Sequence, residues 1–231
     1  LSARHWASLA LLGLVYYTLT QGAQFLGLAY LQANTLSLLL SLSSLSIAGL
    51  GLVLLSERLS GTQWFGVLLA LAGAFIYFGS FGTLSTAGWL IGAFAVLSNS
   101  AAAILGRAIN RSQQLSPLLV TLVSMGVGSL LLLALGLAAE PFPTIEGRQW
   151  LLIFWLAAVN TAGAFTLWNH TLRTLSAAQS SVINNTMLVQ IAVLAWVFLG
   201  ERLTVVEISG LVVVALGTLL VQWKGEKKRV V

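Results

Sequence analysis

Runs of about twenty apolar residues, parted by short polar breaks, recur along the whole chain. The pattern predicts helices near 6–30, 34–56, 61–81, 86–106, 115–138, 148–171, 176–199 and 204–223. Each run is long enough to cross a hydrocarbon core of about 30 Å at roughly 1.5 Å per residue. Polar and apolar positions do not alternate within the runs, so helices fit where barrel strands do not. The breaks carry turn chemistry at Asn34-Thr35, Gly79 to Gly82, Ser116-Pro117 and Pro141-Phe142-Pro143. The expected fold is an all-α polytopic membrane protein with eight transmembrane helices.

The pattern also repeats. "ERLSGTQWFGVLLALAG" begins at Glu57, and "ERLTVVEISGLVVVALG" begins at Glu201, 144 positions later. The same offset aligns Trp6 with Trp150, Ala33 with Ala177, Ser37 with Ser181 and Leu55 with Leu199. Two blocks of three helices, 6–81 and 150–223, are therefore related without a gap. Five spans separate equivalent helices, an odd number, so the copies point opposite ways across the membrane. That is an inverted-topology repeat, a plan of secondary transporters. Helices 86–106 and 115–138 precede the second block, and nothing matches them before the first. The expected division is a first repeat of three helices over 1–82 and a second of five over 83–231. It reads as an incomplete 3 + 5 arrangement of a 5 + 5 plan, lacking two N-terminal spans.

Composition narrows the chemistry. Of the 231 residues 58% are apolar and only 7% charged, against roughly a quarter charged in a soluble domain. Cysteine and Asp are absent and there are two His, which removes disulfides, thiolate metal sites and much catalysis. No HExxH, GxSxG or Walker A pattern occurs, so no catalytic residue, metal site or cofactor is expected.

The net charge is +5, but the basic residues sit at the ends of apolar runs, so they report topology rather than nucleic-acid binding. One side collects Arg4, Arg58, Arg107, Arg111, Arg173, Lys224, Lys227, Lys228 and Arg229, and the other only Arg148 and Arg202. This places both termini in the cytoplasm, in a bacterial inner membrane. Trp6, Trp64, Trp89, Trp150 and Trp223 fall at span ends, as an interfacial belt requires.

"LLLSLSSLSIAGLGLVLLSERLSGTQWFGVLLALAGAFI" and "VLAWVFLGERLTVVEISGLVVVALG" resemble the EamA domain of the drug/metabolite transporter superfamily. The resemblance covers essentially the whole chain, as helices three to ten of ten. It implies ten helices, inward termini, and export or exchange of small metabolites such as amino acids, nucleotide sugars, triose phosphates or drugs. The family usually carries Pro where Ser44 and Leu188 stand here, so a kink there lacks its usual cause.

Uncharged polar residues at membrane depth carry the functional signal, because they are costly against lipid. Tyr17, Thr20, Gln21 and Gln24 share one face at a 3.6-residue period. Their mates, Thr161, Ala164, Phe165 and Trp168, share another, joined by Asn160. Ser37, Ser41 and Ser44 face one way; Ser180, Ser181, Asn184 and Asn185 form the matching cluster; Asn99 lies near mid-span. The serines read as hydrogen-bonding glue between helices. The expected substrate site is Tyr17, Gln21, Gln24, Asn99, Asn160, Trp168, Asn184 and Asn185. Glu57-Arg58 and Glu201-Arg202 fall at helix ends, where an acid can anchor a helix and cap its neighbour. Gly66, Gly73, Gly210 and Gly217, spaced by seven, read as packing positions.

The expected function is a secondary transporter working by alternating access around a midplane polar cavity. Its expected partners are the lipid bilayer and a small-molecule substrate, with no nucleic acid; the expected state is a monomer, with an oligomer also compatible. An uncharged cavity suits an amino acid better than a phosphate, which calls for Arg or Lys at the site. No carboxylate lies mid-membrane, so no acidic proton relay is expected. Two alternatives stay open: a truncated, non-transporting membrane protein, and a polytopic membrane enzyme.

Overall fold

The computed structural model describes residues 2–79, 85–139, 144–199 and 203–222, and all regular structure among them is helical. In chain order the helices are α1 (Ala3–Leu12), α2 (Gln21–Tyr30), α3 (Ala33–Ser41), α4 (Ser43–Leu55), α5 (Gly61–Phe78), α6 (Thr86–Arg111), α7 (Pro117–Ala139), α8 (Gly147–Trp155), α9 (Ala164–Thr171), α10 (Ala177–Asn184), α11 (Thr186–Leu199) and α12 (Val205–Gln222). Wider π-helical turns, Gly13–Thr20 and Leu156–Gly163, join α1 to α2 and α8 to α9.

Seven helical segments among the described residues are long and apolar enough to cross a membrane. Large side chains such as Val53, Leu90, Leu151, Phe154 and Phe198 point outward, as they do when the solvent is lipid. The chain is an integral membrane protein. The seventh expected helix, 176–199, divides into α10 and α11. Asn185 breaks it, its N–H bonding three residues back to Val182 O rather than four. Leu42 does the same between α3 and α4, bonding to Leu39 O. Both helices are thus interrupted mid-way without a proline.

Helix starts follow from short polar motifs. Ser60 and Gln63 form a reciprocal capping box at α5. Thr204 and Glu207, 144 positions later, form the same box at α12. Ser176 and Gln179 cap α10. Such caps satisfy amide donors that lipid cannot.

The most extensive helix contact is that of α5 with α12. A methyl group on Gly66 would lie 2.7 Å from Gly217 O, and one on Gly73 would lie 2.8 Å from Gly210 O. Position 66 meets 217 and position 73 meets 210, so the two helices run antiparallel. Gly13 and Gly128 make a second close approach, between the first π turn and α7, where Thr18 Oγ1 also donates to Gly128 O at 3.0 Å. Small residues give these contacts because helix association in lipid depends on backbone proximity rather than on hydrophobicity.

Candidate functional site

A cavity of about 400 Å³ lies inside the bundle. Its fourteen lining residues come from the first π turn, α2, α3, α4, α6, α9, α10 and α11 and the break at Asn185. Ten of them fall into five pairs 144 positions apart: Gln24 with Trp168, Ser37 with Ser181, Leu40 with Asn184, Ser41 with Asn185, and Ser43 with Met187. Tyr16, Ile47, Asn99 and Ala103 complete the lining. No charged side chain is among the fourteen.

The breaks at Leu42 and Asn185 set the cavity's polar surface. Asn99 Nδ2 donates to Ser43 Oγ at 2.8 Å, at the first turn of α4. Ser181 Oγ and Asn185 Nδ2 both donate to Ser44 Oγ, at 3.0 and 3.2 Å. Ser44, where proline is usual in the family resembled, therefore serves as the acceptor that joins α4 to α10. Ser41 returns its hydroxyl to Leu38 O, and Ser43 returns its own to Leu40 O. Ser43, Ser44 and Ser181 thus join helices, whereas the hydroxyl bond of Ser41 stays within its own helix. Gln24 and Asn184 differ: among the described residues neither side chain has a protein hydrogen-bond partner, and both face the cavity.

Of the eight residues expected at a site, Gln24, Asn99, Trp168, Asn184 and Asn185 line this one cavity. Tyr17 and Gln21 do not. Tyr17 is buried, packed edge-on to Phe165 at 5.2 Å and beside Ser124 and Asn169, while its neighbour Tyr16 takes the place at the cavity wall. The π turn is the reason: its wider winding shifts the phase of a 3.6-residue pattern, so a face drawn through 17, 21 and 24 is no longer one face. The side chain of Asn160, 144 positions after Tyr16, lies outside the described residues.

Two polar features sit outside the cavity. Asn110 Nδ2 donates to Asn169 Oδ1 at 2.8 Å, and Asn169 Nδ2 donates to Thr121 Oγ1 at 3.0 Å, all buried. This network was not anticipated; Asn110 and Asn169 sit close to helix ends, where an amide draws no notice. The second is Glu57. Ser56 adopts the left-handed conformation (φ 56°) that closes α4 and turns Glu57 inward. Glu57 Oε1 accepts from Arg107 Nε at 2.6 Å, and Oε2 accepts from Ala177 N at 2.9 Å, the first residue of α10. The anchoring and capping role read for Glu57 is the geometry found. Glu201 and Arg202 lie outside the described residues.

No curated protein matches the sequence. A solved crystal structure superposes with a TM-score of 0.79 at 18% identity, over 97% of this chain and 79% of its own. At that identity the likeness establishes the fold. The sequence pattern of the EamA-like transporter family matches residues 1–79 and 86–223, so this chain belongs to that family of membrane transporters.

Proposed function

We propose that the protein is a secondary transporter moving a small neutral or zwitterionic polar metabolite, such as an amino acid, by alternating access around the central cavity. One observation carries the reading: Gln24 and Asn184 present amides to the cavity that no protein group satisfies among the described residues. An amide has four hydrogen-bonding sites, and leaving them bare in hydrocarbon costs several kcal/mol. Water or a polar solute in the cavity would supply those partners. Trp168, Tyr16 and Met187 offer an apolar surface beside those amides. The absence of a lining charge favours a net-neutral solute over a phosphate.

The two blocks, 1–82 and 83–231, act in this reading as inverted copies that rock against each other. The five lining pairs and the antiparallel glycine contact support a pseudo-two-fold axis through the cavity. The arginine-rich end is assigned to the cytoplasm of a bacterial inner membrane. Binding at mid-bundle uses Asn99 and Asn185 as wall and Gln24 and Asn184 as free donors and acceptors.

The test is solute exchange in proteoliposomes loaded with a panel of unlabelled amino acids. Counterflow of at least one labelled amino acid is expected. Correctly folded protein that exchanges no amino acid or other neutral polar solute contradicts the reading.

A further inference from the structure

We propose that Glu57 and Arg107 form a latch that closes the central cavity at the arginine-rich end of the bundle, and that this latch must break for the cavity to open on that side. The inference rests on the alternating-access reading of the cavity, but it concerns a contact outside the cavity lining.

The geometry runs along α6. Asn99, Ala103, Arg107 and Arg111 recur every four residues, a ridge that winds slowly round the helix. Each meets α4 or the turn after it. Asn99 bonds Ser43 in the cavity. Ala103 and Ile47 line the cavity; Ile47 also belongs to a core cluster with Leu55, Ile104 and Ala177, against which Ala103 packs. Past that apolar layer, Arg107 pairs with Glu57, and Arg111 Nη1 donates to Leu55 O at 2.8 Å. From the cavity outward the seam is therefore polar, then dry, then ionic.

The ionic layer joins three pieces of chain. Glu57 belongs to the first block. Arg107, the backbone N–H of Ala177, and Leu172 O, which accepts from Arg107 Nη1 at 2.7 Å, belong to the second. Glu57 and Arg107 are only 14% and 13% exposed, so solvent does little to weaken their attraction. The pair is nonetheless poised to separate. Once parted, Glu57 stands just past the end of α4 and Arg107 one turn from the end of α6, where long side chains can reach water or lipid headgroups. A motion of one block against the other at this end must pull Glu57 from Arg107 and from Ala177 together. Breaking a shielded pair of this kind while leaving either charge unmatched is strongly disfavoured, which gives the closed state its hold.

The chain has no cysteine, so one introduced thiol reports cleanly. Ala103→Cys places it at the cavity wall directly above the dry layer. A small membrane-impermeant methanethiosulfonate is added to vesicles from the face carrying Arg107, and labelling is compared with and without Glu57→Gln or Arg107→Ala. Low labelling is expected with the latch intact, rising about tenfold in either variant, because minor open states of such equilibria are populated at about 0.1–10%. Glu57→Gln keeps an oxygen for Ala177 and removes only the charge, which separates latch from cap. Unchanged labelling in folded variants overturns the proposal, as does equal labelling in both backgrounds. Loss of monodisperse protein in both variants makes the pair a structural brace and overturns it too. The labelling needs no solute, so its result is independent of whether any amino acid is exchanged.

Discussion

Gly73 and Gly210 face each other across the contact of α5 with α12. Methyl groups on them would lie 2.8 Å from Gly210 O and 2.9 Å from Gly73 O, respectively. Gly66 and Gly217 repeat the arrangement two turns away, with 2.7 Å each way. The relation is reciprocal at both pairs.

Gly73→Val or Gly210→Val is therefore expected to destabilise the folded protein by about 1–3 kcal/mol, since neighbouring backbone has no room to yield. Gly49→Ala in α4 is the contrast: nothing lies within 4 Å of the added methyl. It should be neutral, or stabilising by up to about 1 kcal/mol. Thermal unfolding in detergent, read side by side, checks both.

The buried network of Asn110, Asn169 and Thr121 lies off the cavity. Asn169→Ala removes the acceptor of one bond and the donor of the other. The expected cost is about 1–3 kcal/mol of stability. Solute affinity of the protein that remains folded should be unchanged. A shift in affinity at full stability would place Asn169 in the site.

Orientation has its own check. Gln113 sits in an exposed turn between α6 and α7 with a left-handed backbone (φ 55°). Gln113→Cys should react with an impermeant maleimide only from the cytoplasmic face. Labelling from the opposite face of intact cells would invert the topology argued from Lys and Arg.

How far the sequence could be read is clear from individual residues. Span positions were legible because lipid demands long apolar runs, and the helix starts at Gly61 and Ala177 follow from Ser60 and Ser176. Glu57's role was legible because an acid at a helix end has few partners to choose from. Gln24, Asn99, Trp168, Asn184 and Asn185 reach one cavity because amides and aromatics at membrane depth must face protein or water. Tyr16 was not legible. A π turn leaves no mark in composition, yet it rotates every residue beyond it, exchanging Tyr17 for Tyr16 at the wall. The breaks at Leu42 and Asn185 were equally hidden, since they arise without proline from tightened backbone bonds. The bond between Asn110 and Asn169 joins positions 59 apart and depends on how α6 and α9 pack.

The central claim is that the cavity's unsatisfied amides bind the transported solute. The most direct measurement is the half-saturation concentration for counterflow of a labelled amino acid in proteoliposomes, taken together with thermal stability, for wild type and Asn184→Ala. Losing one solute hydrogen bond predicts a rise of about tenfold in half-saturation, with the melting temperature little changed, because the Asn184 side chain bonds to no other described group. Unchanged half-saturation with a lowered melting temperature would make Asn184 a packing residue and contradict the account.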